Sequence, residues 1–108
     1  MSALLIALVK VTGEDWVPAY AAEVHDIAAK HGGRYLSRSG RIETIEGDDS
    51  DLTAIAVIQF PDTAAAHAFA NDPAYAPHAK ARQAGSVSRF YIIDDSDALG
   101  TVPYLPKG

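Results

Sequence analysis

Residues Ala3–Val11 read ALLIALVKV, and every position through Val9 is apolar. The run is too short for a typical helix and is bounded by Thr12-Gly13, which predicts a strand. Alternation places Leu5, Ala7, Val9 and Val11 on one side and Leu4, Ile6 and Leu8 on the other, so both faces require cover. Leu52–Phe60 (LTAIAVIQF) repeats the pattern, with Ala54, Ala56, Ile58 and Phe60 opposed to Ile55 and Val57, and Pro61 stops it. A chain with two such strands must bury a sheet from both sides, and 108 residues supply few elements for the task. The longest apolar run, Ala3–Val9, falls far short of the ~20 residues that a membrane span needs. Only Met1-Ser2 precedes it, which is no basic leader, so a soluble cytoplasmic protein without a membrane partner is expected.

The other elements follow from caps and spacing. Asp15 offers an N-cap and Pro18 falls in a first turn. Tyr20, Val24, Ile27 and Ala28 recur at helical spacing, predicting a helix over Trp16–His31 that Gly32 ends. Gly33–Arg38 alternates as a strand, and Arg41–Glu46 continues it past a bend at Gly40. Gly47–Asp51 is a turn by composition. Asp62 caps a helix over Thr63–Asn71, and Asp72-Pro73 restarts it, giving a kinked or broken helix to about Ala84 with Pro77 awkward inside it. Val87–Asp94 is the fourth strand.

The order βαββαβ predicts an α+β, ferredoxin-like fold: a four-stranded antiparallel sheet with two helices on one face. Residues 1–94 form this single domain and 95–108 an extended C-terminal tail with Gly100, Pro103 and Pro106.

Two helices cover one sheet face, and the other would be an apolar patch of several hundred Å², uncommon on a soluble monomer. Burying ~500 Å² of it per chain contributes on the order of 12 kcal/mol before ordering costs. An identical sheet is the simplest cover, so the chain is expected to be its own partner, a homodimer through sheet faces. Tyr104 and Leu105 offer an alternative lid, but a tail with two prolines covers a sheet poorly. Nine Lys and Arg against 14 Asp and Glu leave a net charge of −5, which argues against a nucleic-acid partner. The chain has no cysteine, which excludes a disulfide scaffold, thiolate catalysis and Cys-ligated zinc.

Candidate chemistry lies mainly in a polar stripe. His67, Asn71, Tyr75, His78 and Arg82 recur at spacings of four, four, three and four, one side of a helix if the phase survives Pro73. Facing the sheet near Tyr35 or Arg38, they would line a pocket for an anionic or carbonyl ligand. In that pocket His67 is the candidate base, Arg82 the anion holder, and Tyr35 and Tyr75 the hydrogen-bond donors; Arg38 and Asn71 complete the substrate-binding set. The bland reading leaves His67 and His78 in solvent and Tyr75 in packing. Arg34, Arg38 and Arg41 cluster, with Arg34 and Arg38 on one face, and the favoured partners are Glu43, Glu46 or a carboxylate of a second copy. His31-Gly32-Gly33 is better read as a helix stop than as an anion loop, since no phosphate-loop Lys-Ser/Thr follows. Four histidines without HxH, HxxxH or HExxH spacing predict no metal site. No GxSxG elbow marks a nucleophilic serine, and no cofactor is expected.

His31-Gly32-Gly33-Arg34-Tyr35-Leu36, Ile45-Glu46-Gly47-Asp48, Ile58-Gln59-Phe60-Pro61, Asn71-Asp72-Pro73-Ala74-Tyr75 and Arg82-Gln83, in that order, resemble the domain-of-unknown-function 1330 family over about residues 4–94. That resemblance implies the dimeric α/β-barrel superfamily, in which two ferredoxin-like sheets pack face to face. Asp49, Pro77 and the tail depart from the family's pattern. The family implies no established reaction. Neighbouring families include cofactor-free monooxygenases, haem-dependent enzymes and small-molecule isomerases. The resulting expectation is small-molecule binding in a helix–sheet cleft, with cofactor-free proton transfer or oxygenation as the chemistry. The alternatives are a non-catalytic binding or regulatory module, or a structural dimer serving a protein partner.

Overall fold

The computed structural model describes residues 1–104. The described chain runs β1 (Ala3–Val11), α1 (Val17–Lys30), β2 (Arg34–Ser39), β3 (Ala54–Phe60), α2 (Thr63–Ala70), α3 (Ala76–Ala84) and β4 (Ser86–Asp94). The sheet order is β2-β3-β1-β4 and every pairing is antiparallel, which is the ferredoxin-like topology. The two strands that are apolar on both faces occupy the centre, where burial is greatest. Ala3, Leu5, Ala7, Ile58 and Phe60 face the helices and are buried with Val24, Ile27 and Ala28 of α1 and Ala66 and Phe69 of α2.

The opposite face carries Leu4, Ile6 and Leu8 of β1, Ile55 and Val57 of β3, and Val87, Tyr91 and Ile93 of β4, and no element of the described chain covers it. Gly32 adopts φ +78°, the left-handed geometry that turns the chain out of α1, and the N–H of Gly33 closes on the carbonyl of Ala28 at 2.8 Å. A Cβ on Gly33 would lie 2.7 Å from the ring of Phe60, so this glycine also lets β2 enter the core closely.

Several expectations change. Asp15 does not cap α1; Trp16 takes the N-cap position without a side-chain hydrogen bond, and Pro18 sits in the first turn. Asp62 does cap α2, its Oδ1 accepting from the N–H of Ala65 at 2.7 Å. The second helical region is two helices, because Asn71–Ala74 breaks it and the restart falls at Ala76 rather than Pro73. Pro77 then lies within the first turn of α3, where no helical N–H is lost.

β2 ends at Ser39 and Arg41–Glu46 forms no strand. To pair with it, β3 would have to extend back through Gly47–Asp51, where three aspartates repel one another and Gly47 turns at φ +90°. The irregularity in β2 lies at Leu36, not Gly40: Tyr35 pairs with Ile58 and Ser37 with Val57, leaving Leu36 unpaired. Residues 98–104 turn rather than extend, with the N–H groups of Thr101 and Val102 both on the carbonyl of Ala98. Of the proposed tail lid, Tyr104 stands exposed and Leu105 lies outside the described residues.

Candidate ligand cavity

The Leu36 bulge decides which β2 side chains reach the helical layer. An extra residue in the strand lets positions three apart, Tyr35 and Arg38, share a face; both pair with helix-facing residues, Ile58 and Ala56. Arg34 pairs with Gln59 on the opposite face and donates to its Oε1 at 3.0 Å. The expectation that Arg34 and Arg38 share a face therefore fails, because the bulge inverts the alternation between them. Neither arginine meets Glu43 or Glu46 among the described residues; Arg38 instead lies over the Tyr35 ring, 5.1 Å from its centroid.

Between this edge of the sheet, the start of α1 and α3 lies a cavity of about 200 Å³. Its floor is Ala7, Val9, Ala54 and Ala56 of the central strands, where small residues leave space that larger ones would fill. Trp16 and Tyr20 at the start of α1, Phe69 of α2 and Phe90 of β4 supply aromatic side chains, and Tyr35, Arg38, Thr53 and Arg82 supply polar groups. The lining includes no Asp, Glu or His.

Arg82 is the centre of the site. It is only 6% exposed and is the one charged residue buried among those described. Nη1 donates to Ser88 Oγ of β4, Ser86 Oγ donates to the Arg82 carbonyl at 2.6 Å, and the guanidinium stacks over Phe90 at 4.1 Å. Nε has no hydrogen-bond partner, and no carboxylate among the described residues lies within ion-pair distance of the guanidinium. Stacking on Phe90 recovers roughly 2 kcal/mol at a desolvated site. Burying an unpaired cation costs several kcal/mol. The balance leaves the site short of one negative charge.

The tyrosines supply neutral donors. Tyr20 Oη and Tyr75 Oη lie 2.7 Å apart, so one donates to the other and the second proton is free for another acceptor. Burial pushes the Tyr20 hydroxyl far above its ordinary value, reinforced by Tyr75. Burial also raises Tyr35 against the opposing pull of Arg38. Both stay protonated at neutral pH and act as O–H donors. Around them, His78 of α3 bonds Glu23 of α1 at 2.8 Å and His31 donates to Asp72 at 2.7 Å, fastening the three helices together.

Of the residues expected to form a pocket, the structure brings together Tyr35, Arg38 and Arg82, with Tyr75 directly behind through Tyr20. His67 and Asn71 stand exposed on and just after α2, whose buried positions are Ala66 and Phe69. At about 100° per residue, His67 points well away from both, and the non-helical turn after Asn71 resets the phase of α3. Trp16 and Tyr20 were missing from the expected set. Tyr20 does fall on the apolar stripe of α1, and a tyrosine there needs a partner for its hydroxyl, which is the signal that could have marked it.

An antiparallel sheet in the order β2-β3-β1-β4 with its helices on one face defines an α+β, ferredoxin-like domain, the fold found in dimeric α/β barrels. Within that class, the chain belongs to the family described as Domain of unknown function (DUF1330), which matches residues 2–96. No curated protein matches the chain. Among solved structures it is similar to the RPA0582 protein of unknown function from Rhodopseudomonas palustris, at 19% identity and a TM-score of 0.74, covering 89% of this chain and 83% of that one. It is also similar to SnoaB, a cofactor-independent oxygenase from Streptomyces nogalater, at 18% identity and a TM-score of 0.63, covering 91% and 96%. At such identities the likeness is one of fold.

Proposed function

We propose that the protein is a homodimer, joined through its open sheet faces, that binds a small organic anion in the cavity between helices and sheet. The observation that carries the ligand reading is Arg82: a residue only 6% exposed, lining an apolar cavity, whose guanidinium lacks any carboxylate partner among the described residues. Arg82 holds the anion, Tyr20 and Tyr35 donate hydrogen bonds to it, Tyr75 orients Tyr20, and Arg38 stands at the exposed end of the cavity. His67 and Asn71 take no part.

The donor set also favours a second reading, catalysis on the bound molecule. Donors fixed around an oxygen stabilise negative charge that develops there, and the likeness in fold to a cofactor-independent oxygenase supports oxygenation. With no Asp, Glu or His in the lining, the substrate itself must be acidic enough to ionise against Arg82, and its anion would donate the electrons to dioxygen. Oxygen uptake with a bound anion separates this reading from simple binding.

A thermal-shift screen of carboxylates and phenols against the wild type and Arg82→Gln tests the ligand reading. A ligand at 100-fold over its Kd adds ~2.7 kcal/mol, so the wild type is expected to rise by on the order of 10 °C and the variant by far less. Equal shifts in both proteins would remove the reading. The dimer is tested separately by sedimentation, where a single-chain mass at micromolar concentration would defeat it.

A further inference from the structure

The cavity's size and walls narrow the class of anion. Its volume is about 200 Å³, and an apolar cavity of ~150 Å³ is known to admit benzene. By that measure the space suits one six-membered ring with a small substituent. Four aromatic residues line it: Trp16 and Tyr20 from α1, themselves edge to face at 5.2 Å, Phe69 of α2, and Phe90 of β4 beside Ala7 on the sheet. Ala56 of β3 forms part of the floor, where a short side chain leaves room for a flat body to lie on the sheet. At the buried end a single guanidinium lacks a counter-charge, and a planar carboxylate matches a planar guanidinium through paired N–H donors.

Resting on the anion reading above, we propose that the ligand is a monocyclic aromatic carboxylate, its ring against these aromatic side chains and its carboxylate directed inward onto Arg82. With Tyr75 donating to Tyr20, the Tyr20 proton is left to donate a further hydrogen bond to that carboxylate. Substituents on the ring's far side meet Arg38, which is exposed and marks the mouth.

Trp16 makes the proposal directly testable, because it is the chain's single tryptophan and lies in the cavity wall. Its indole N–H is fixed to the carbonyl of Gly85 at 3.0 Å, so a ring placed beside it reports through fluorescence without the indole having to move. Titrating the full-length protein with benzoate is expected to quench Trp16 saturably. Benzamide, the neutral isostere, and hexanoate, the open-chain carboxylate, should each bind at least tenfold more weakly, and 2-naphthoate should not saturate.

Arg82→Gln is expected to lose the preference for benzoate over benzamide. Ala56→Leu, which fills the floor without touching charge, is expected to abolish quenching while keeping a cooperative melt, so a folding defect at Arg82 does not decide the matter. Hexanoate or 2-naphthoate binding as tightly as benzoate would overturn the single-ring assignment and leave the anion reading standing. Benzamide binding as tightly as benzoate, or no saturable quenching by any of the four compounds, would overturn both.

Discussion

At the scale of single residues, the chain's acid–base behaviour is governed by burial. Tyr20 is a tyrosine that folding prevents from ionising, since desolvation and the neighbouring Tyr75 oxygen both oppose a phenolate. In the unfolded chain the same group ionises near its ordinary value of about 10. Above about that pH the unfolded state sheds a proton that the native state keeps, so stability is complete below it and falls as pH rises. Tyr20→Phe is expected to flatten that alkaline decline while costing about 1–3 kcal/mol at neutral pH, because Tyr75 is left with a buried, unpaired hydroxyl. Urea midpoints followed from neutral to alkaline pH check both effects, and an unchanged alkaline slope would refute the first. Arg82, Tyr75, Tyr35 and Arg38, which lie in or just behind the cavity, were singled out by a polar stripe at helical spacing and by the strand expected beside it. Trp16 and Tyr20 were not, because aromatic residues on an apolar stripe look like core until a cavity is seen beside them.

At the scale of elements, two local departures from regularity build the site. The Leu36 bulge brings Tyr35 and Arg38 to the same face, and the turn through Asn71–Ala74 re-aims α3 so that Arg82 is its one buried side chain. Neither could be placed from periodicity, which assumes an unbroken phase; His67 and Asn71 were assigned to the site for that reason. Where no irregularity intervenes, the pattern held, as in the two faces of β1 and β3 and the Asp62 cap. Asp62→Ala is expected to cost about 1 kcal/mol by freeing the first N–H groups of α2, read as a loss of melting temperature with the ligand preference intact. The turn between α2 and α3 is held by Asp72, whose Oδ2 accepts from His31 and whose Oδ1 accepts from the N–H of Ala74. These bonds, His31 first, hold the Asp72 carboxyl below the usual carboxylate range. The sign follows: the native state binds that proton less readily than the unfolded chain, so the contribution is present above the unfolded value of about 3.9 and is lost as pH falls through the lower native one. Asp72→Asn is therefore expected to show a shallower acid limb in its stability curve than the wild type. Asp51, bonded by Lys10, and Asp94, bonded by Ser96, shape the same limb from exposed positions and persist in the variant.

At the scale of the whole molecule, the constraint visible in Ala3–Val11 returns as an unsolved face. Ile6 sits at its centre, paired across β1 with Val57 on β3 and with Tyr91 on β4. Tyr91 and Ile93 are each about half exposed and Val87 more so, which one chain gains nothing by leaving in water. The described part of the tail does not relieve this, since it turns on itself and leaves Tyr104 exposed. Ile6→Glu separates the two demands on this position. In a single chain the new carboxylate reaches solvent from a half-covered site and the helix-facing core is untouched. In a face-to-face dimer it is buried without a partner, at a cost of several kcal/mol for each copy. The wild type is expected to sediment at twice the 11.4 kDa chain mass and to melt at a temperature that rises with protein concentration, whereas Ile6→Glu should sediment at the chain mass with no such dependence. Because the cavity is lined by the opposite side of the sheet, the monomeric variant should still bind benzoate at Trp16. Removal of residues 96–108 should leave the wild-type mass doubled, and a truncated chain that turned monomeric would instead assign the cover of the face to the tail.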